Sequence, residues 1–170
     1  MSAAKKTPAG RVLLIDIGNT NLKWAWLLGT DLSSVQSAGH RHRPMQGVAQ
    51  ACWQDEPRPS RVLIANVAGP EAAAELSDWM DGAWNLKPTF IRSPGSVLGV
   101  TNAYSEPAQL GVDRWLTLIA VFSKKQVPAC IVDCGTAVTL DVIDRSGRHL
   151  GGLILPGFNM MRDALLERTN

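Results

Sequence analysis

Ile15-Asp16-Ile17-Gly18-Asn19-Thr20 and Val132-Asp133-Cys134-Gly135-Thr136-Ala137 are two versions of one pattern. Each is an apolar strand, then Asp, one residue, Gly, a small polar residue, and the opening of a second strand. The two aspartates stand about 120 residues apart, one lobe's worth of chain, and an echo at that interval points to duplication. Arg11 to Ile17, rich in Val, Leu and Ile, reads as a buried strand. Gly18-Asn19-Thr20-Asn21 is a turn, and Leu22 to Leu28 resumes as a Trp-bearing strand, so the first copy is a hairpin. Around the second copy, Ala129 to Val132 and Ala137 to Ile143 read as strands. Asp144 to Gly147 is a turn, Leu150 to Leu155 a third strand, and Phe158 to Arg168 a helix after the Pro156-Gly157 break.

The chemistry available to such a hairpin is specific. Glycine lets backbone N–H groups approach an oxyanion, and successive N–H groups in a tight turn form an anion-binding nest. A neighbouring Asn or Thr adds side-chain donors. An Asp at the strand end can hold a cation against phosphates. Two such turns, one per lobe and facing one cleft, are suited to gripping a polyphosphate. Two ordinary Asp-Gly turns are the plainer reading. No G-x-x-x-x-G-K-[ST] and no G-x-G-x-x-G stands after a strand, which excludes a P-loop protein and a Rossmann dinucleotide binder.

Working outward, Arg61 to Ala65 is another buried strand, and Pro70 opens a helix over Glu71 to Met80 with Gly82 just past its end. Thr89 to Ile91 is a brief strand and Ser93 to Glu106 a loop. Ala108 to Lys124 is the strongest helix, with Leu110, Trp115, Leu118, Ile119 and Phe122 at helical spacing. Asp31 to Pro59, including His40-Arg41-His42-Arg43-Pro44, is polar and irregular and leaves further strand and helix open. Strands with intervening helices and hairpins predict a mixed α/β sheet, with lobes over 1–126 and 127–170.

Gly111-Val112-Asp113-Arg114 falls inside the predicted helix, where Gly111 costs roughly 1 kcal/mol relative to Ala. A costly Gly beside a charged pair suggests close approach to the backbone. Asp113 is placed to take a proton from a hydroxyl and Arg114 to fix an anion. A solvated Asp–Arg pair on the outer helix face is the alternative.

Composition bounds the rest. The 170 residues are 45% hydrophobic and 19% charged, enough to build a core and too apolar for a disordered chain. A net charge of +2 gives no footprint for nucleic acid. Val12-Leu13-Leu14-Ile15 ends at Asp16, far short of the roughly 20 residues that cross a bilayer. Met1 to Gly10 lacks an apolar h-region and reads as a polar leader rather than a secretory signal. Cys52, Cys130 and Cys134 suit a reducing compartment. The last two, in or beside an apolar strand, read as buried thiols rather than a metal pair.

Four blocks in order resemble the type III pantothenate kinases of the acetate and sugar kinase/Hsp70/actin superfamily. They are Asp16 to Asn21; Tyr104 and Pro107 with Gly111 to Arg114; Asp133-Cys134-Gly135-Thr136-Ala137-Val138-Thr139; and Gly151-Gly152-Leu153-Ile154-Leu155-Pro156-Gly157. The resemblance implies an actin/ribonuclease H-like fold of duplicated mixed sheets with helices, its second lobe incomplete in this chain. It implies transfer of the ATP γ-phosphoryl group to pantothenate, the first step of coenzyme A synthesis, in the cytoplasm. Asp16, Ile17, Gly18, Asn19, Thr20, Asn21, Leu22 and Lys23 would form the first phosphate loop, and Thr136 would contact ATP. Asp113 would be the general base, with Tyr104, Gly111, Val112, Asp113 and Arg114 contacting pantothenate. Asp133 would hold K+ or NH4+, a divalent ion such as Mg2+ would be required, and a homodimer would complete the substrate pocket. Family members continue beyond the position of Asn170, with an adenosine-facing segment and a substrate-contacting Thr, so the resemblance implies a fragment. A non-catalytic accessory member of the family, or a kinase for another small hydroxyl acceptor, are the competing readings.

Overall fold

The computed structural model describes residues 10–168. Met1 to Ala9 of the expected leader lie outside them. Two compact units divide between Ile91 and Arg92.

In the first unit, β1 (Arg11–Ile17) and β2 (Asn21–Leu28) form the expected antiparallel hairpin. The polar stretch 31–59 supplies both strand and helix: the short strands β3 (Asp31–Leu32) and β4 (Gln36–Gly39) extend the sheet from β2, and helix α1 (Met45–Trp53) follows. β5 (Arg61–Asn66) runs parallel to β1, and β6 (Thr89–Phe90) parallel to β5. Pro70 opens α2 (Pro70–Trp84) as expected, since its missing N–H would be unbonded in a first turn. The helix does not stop at Gly82. It ends where Asn85 turns left-handed, with φ 47°.

Alternation along β1 decides which face is covered. Leu13, Ile15 and Ile17 join Val48 and Trp53 of α1 and Leu76 and Met80 of α2 in one buried cluster. Asp16 therefore lies on the opposite face. Trp53 centres an aromatic group, with Trp24 edge-on at 5.6 Å, Trp79 at 6.0 Å and Trp84 at 6.3 Å between ring centroids.

In the second unit, the small hairpin β7 (Ser96–Val97) and β8 (Val100–Thr101) and a 3-10 turn at Pro107–Gln109 precede helix α3 (Val112–Ser123). β9 (Ala129–Cys134), β10 (Ala137–Ile143) and β11 (His149–Pro156) form an antiparallel meander, followed by α4 (Phe158–Arg168). Trp115 and Leu118 of α3 are buried with Val100, Leu110 and Ile143, while Ala129 and Ile131 pack against them. This packing places α3 with the second sheet and moves the division well before the boundary expected at 126/127.

The opposite face of that meander is bare among the described residues. Val132, Val142, Leu150, Leu153 and Leu155 are exposed, as are Phe158, Met161, Leu165 and Leu166 of α4. Cys130 and Cys134 share this uncovered face and stand exposed, correcting the buried-thiol reading. In the first sheet β1 has a parallel neighbour in β5. Among the described residues β9 pairs with β10 alone.

Candidate active site

Both hairpin turns are closed by the glycine two residues after the aspartate. The Gly18 N–H donates to the Asn21 carbonyl at 3.0 Å, and the Gly135 N–H to the Ala137 carbonyl at 2.9 Å. The copies differ by one residue: Asp16 faces Lys23 across the first hairpin, whereas Asp133 faces Thr139 across the second. Within the first loop, Ile17 and Leu22 are fully buried, so their side chains serve packing and only their backbones are available to a ligand. Gly18 and Thr20 are partly exposed, and Asn19, Asn21 and Lys23 are exposed. His40 was missed by sequence reasoning. It is buried, its Nε2 hydrogen-bonds the Gly18 carbonyl at 2.7 Å, and its backbone N–H donates to the Thr20 carbonyl at 3.0 Å. Its signal was a histidine within a polar stretch, which pattern alone does not place.

Asp133 and Thr136 stand exposed in the second hairpin. Alternation puts Asp133, Thr139 and Asp141 on the face of the sheet that α3 covers further along. The Gly157 N–H donates to the Thr136 carbonyl at 3.1 Å, and a Cβ at Gly157 would collide with the carbonyl oxygens of Gly135 and Thr136. The Leu155-Pro156-Gly157 end of β11 is therefore pressed against the turn by backbone alone.

Gly111 is not inside a helix. It caps the N-terminus of α3 with φ −51° and ψ 133°, so the interior-glycine penalty does not apply. Asp113 lies in the first turn, where a carboxylate complements the helix dipole, and its Oδ1 accepts the Arg114 N–H at 2.8 Å. Val112 is buried. Arg114 is buried too, which rules out the solvated Asp–Arg pair. It forms a bidentate pair with Asp141, Nε to Oδ2 and Nη2 to Oδ1, each at 2.7 Å. Its Nη1 donates to the Tyr104 hydroxyl at 3.3 Å. Asp141 also accepts from His149 Nε2 at 2.9 Å. The hydrogen bonds to Asp141 hold the guanidinium above its ordinary, already high pKa. Asp141 and His149 were not singled out from sequence, although a lone carboxylate in an apolar strand requires a partner.

The first-loop residues thus belong to the first unit, and Tyr104, Gly111 to Arg114, Asp133 and Thr136 to the second. Within the second, Tyr104 and Arg114 are brought together. No cluster of three metal-ligating side chains occurs among the described residues. An oxygen donor set of one or two carboxylates fits a hard ion that keeps water and phosphate as its other ligands.

Residues 12–170 match the family model described as type III pantothenate kinase. The chain belongs to the type III pantothenate kinase family. A type III pantothenate kinase from Nitrosococcus oceani is 40% identical, aligned over 93% of this chain and 61% of its own length. One from Burkholderia multivorans is 42% identical, over 92% and 60%. The chain thus spans about three fifths of the length of these type III pantothenate kinases. A solved structure described as a Baf family transcriptional activator from Campylobacter jejuni superposes with a TM-score of 0.54 at 24% identity, covering 91% of this chain and 59% of that one, a likeness of fold.

Proposed function

We propose that this chain carries the phosphate loops and acceptor site of an ATP-dependent pantothenate kinase. The observation that supports this most directly is the matched pair of Asp-x-Gly hairpins, together with family membership over residues 12–170. Phosphoryl transfer asks for positioning and charge neutralisation more than covalent chemistry. The turn at Gly18, through its backbone N–H groups and Asn19, Thr20, Asn21 and Lys23, would bind phosphate, and the turn at Gly135 with Thr136 would likewise bind phosphate of ATP. Asp16 and Asp133 would hold Mg2+ and K+ or NH4+; when bound, these ions neutralise phosphate charge. Tyr104, Arg114 and the Gly111–Val112 backbone would hold pantothenate.

Asp113 would act as general base. Its Oδ1 is engaged by the Arg114 N–H, which leaves Oδ2 for the proton of the acceptor hydroxyl. The hydroxyl oxygen bonds to the γ-phosphorus as the bond from that phosphorus to the bridging oxygen breaks, and ADP departs.

The reading places the protein in the cytoplasm, which agrees with its three free cysteines. No described helix is long and apolar enough to cross a membrane. A homodimer is supported by the exposed apolar face of β9–β11 and α4.

The test is transfer of a labelled γ-phosphoryl group from ATP to pantothenate, with a panel of sugars and hydroxy acids as competing acceptors. Transfer to pantothenate is expected. Transfer to another acceptor would favour a different kinase, and binding without transfer a non-catalytic accessory role.

A further inference from the structure

Four polar side chains of the second unit, Tyr104, Arg114, Asp141 and His149, form a closed circuit. The Ala103 N–H donates to His149 Nδ1 at 3.5 Å, and His149 Nε2 meets Asp141 Oδ1 at 2.9 Å. Asp141 holds Arg114 through both carboxylate oxygens, and Arg114 Nη1 returns to the Tyr104 hydroxyl. The Tyr104 ring lies parallel to that of His149, 14° apart in plane with centroids 6.1 Å apart. Since Nδ1 accepts from a backbone donor, Nε2 carries a proton and points it at the carboxylate.

Stability alone does not explain such a circuit. A buried ion pair is commonly no better than apolar residues of the same volume, because desolvation offsets attraction. His149 is fully buried, and Arg114 and Asp141 are nearly so. The surroundings are shaped to admit them: a Cβ at Gly152 on the neighbouring strand would collide with Arg114 Nη2, Asp141 Oδ1 and the Leu140 carbonyl. Of the five guanidinium N–H groups, Asp141 takes two and Tyr104 one. One N–H on each terminal nitrogen is left over, and the Tyr104 hydroxyl, accepting from Arg114, keeps its own proton to donate.

We propose that Asp141 and His149 are positioning residues that lock Arg114 and Tyr104 into one fixed set of donors for the acceptor substrate. This rests on the reading of Arg114 and Tyr104 as pantothenate contacts. Asp141 sets the plane of the guanidinium. His149 sets the carboxylate with its Nε2–H and supports the tyrosine ring with its face.

The test has two arms, both on the full chain. The first needs no substrate: the Nε–H resonance of Arg114, assigned by its loss in Arg114→Lys, is followed in a proton–nitrogen spectrum. It is expected apart from the other arginines and slow to exchange with water. It should exchange faster in His149→Phe, merge with the exposed arginines in Asp141→Asn, and stay near wild type in His149→Gln, which keeps an N–H donor. The second arm measures affinity for pantothenate and ATP separately. His149→Phe is expected to weaken pantothenate roughly tenfold or more, as for one impaired charge-assisted hydrogen bond, with ATP unchanged. A folded His149→Phe or Asp141→Asn with an unaltered Arg114 resonance overturns the proposal, as does equal weakening for both ligands. If the wild-type chain binds no pantothenate, the functional reading fails, while the resonance still decides whether Arg114 is held.

Discussion

The Arg114 guanidinium lies bidentate on the Asp141 carboxylate, with side chains only 6% and 4% exposed. Each charge is tolerable in that setting only because the other is present. Asp141→Ala strands the guanidinium, and losing one partner of a buried pair typically costs about 3–5 kcal/mol. Against a usual total of roughly 5–15 kcal/mol this is severe. Urea unfolding should show the loss. Replacing both residues by apolar ones of similar size should cost less than Asp141→Ala alone, and a larger loss in the double variant would show that the stranded charge is not the cause.

Asp113→Asn should slow phosphoryl transfer by about 10²–10⁴-fold while sparing ATP affinity. The substitution keeps the size and the oxygen that accepts from the Arg114 N–H, and replaces the basic oxygen by an amide nitrogen that can only donate. Single-turnover rates with nucleotide titration check it. A rate close to wild type would remove Asp113 from proton transfer.

Transfer should rise with potassium, and Asp133→Ala should blunt that response. Asp133 stands exposed at the end of β9, on the face of the sheet that carries Asp141. A single carboxylate is a modest ligand, so the ion would depend on the phosphates as well. Rates measured against potassium in sodium-free buffer decide this. A response identical in wild type and variant would assign the ion elsewhere.

Asp144 secures the β10–β11 turn. Its Oδ1 accepts from the Ser146 hydroxyl at 2.7 Å, the Ser146 N–H at 2.8 Å and the Arg148 N–H at 2.9 Å. Bonding to the Ser146 hydroxyl, then to the Arg148 backbone, holds its pKa below the usual carboxylate value of 3.8. A folded-state value below the unfolded one stabilises the fold above that pH, and the contribution disappears as the pH falls through the lower, folded value. Melting temperatures from about pH 5 to pH 2 should therefore fall less steeply in Asp144→Asn than in wild type. Equal slopes would show that the turn does not sense protonation.

Much of this was legible because strand signals are local. The Val-Leu-Ile runs at Arg11 to Ile17 and Arg61 to Ala65, the turns after them, and the meander from Ala129 to Leu155 follow from residue type and the glycines and prolines between runs. What escaped depended on tertiary neighbours. Gly111 reads as a costly interior glycine until the turn at Pro107–Gln109 is seen to end before it. Cys130 and Cys134 alternate onto a face that nothing described covers, and hydrophobicity cannot report a missing cover. His40 acts through a carbonyl 22 residues earlier. In the site, Tyr104, Asp113 and Arg114 were visible as a motif. Asp141, which pairs with Arg114, and His149, which stacks on Tyr104, sit in a strand pair whose register, with its shift at Val142/Ile143, brings them together.

Trp53 and its neighbours have an optical consequence. Five of the six tryptophans, Trp24, Trp26, Trp53, Trp79 and Trp84, fall in the first unit, and Trp115 is the lone indole of the second. Ultraviolet emission is thus dominated by one unit, with a single chromophore reporting on the other. Trp115→Phe would silence the second unit, and the difference between the two emission traces during denaturation would isolate the melting of α3 from that of the first sheet.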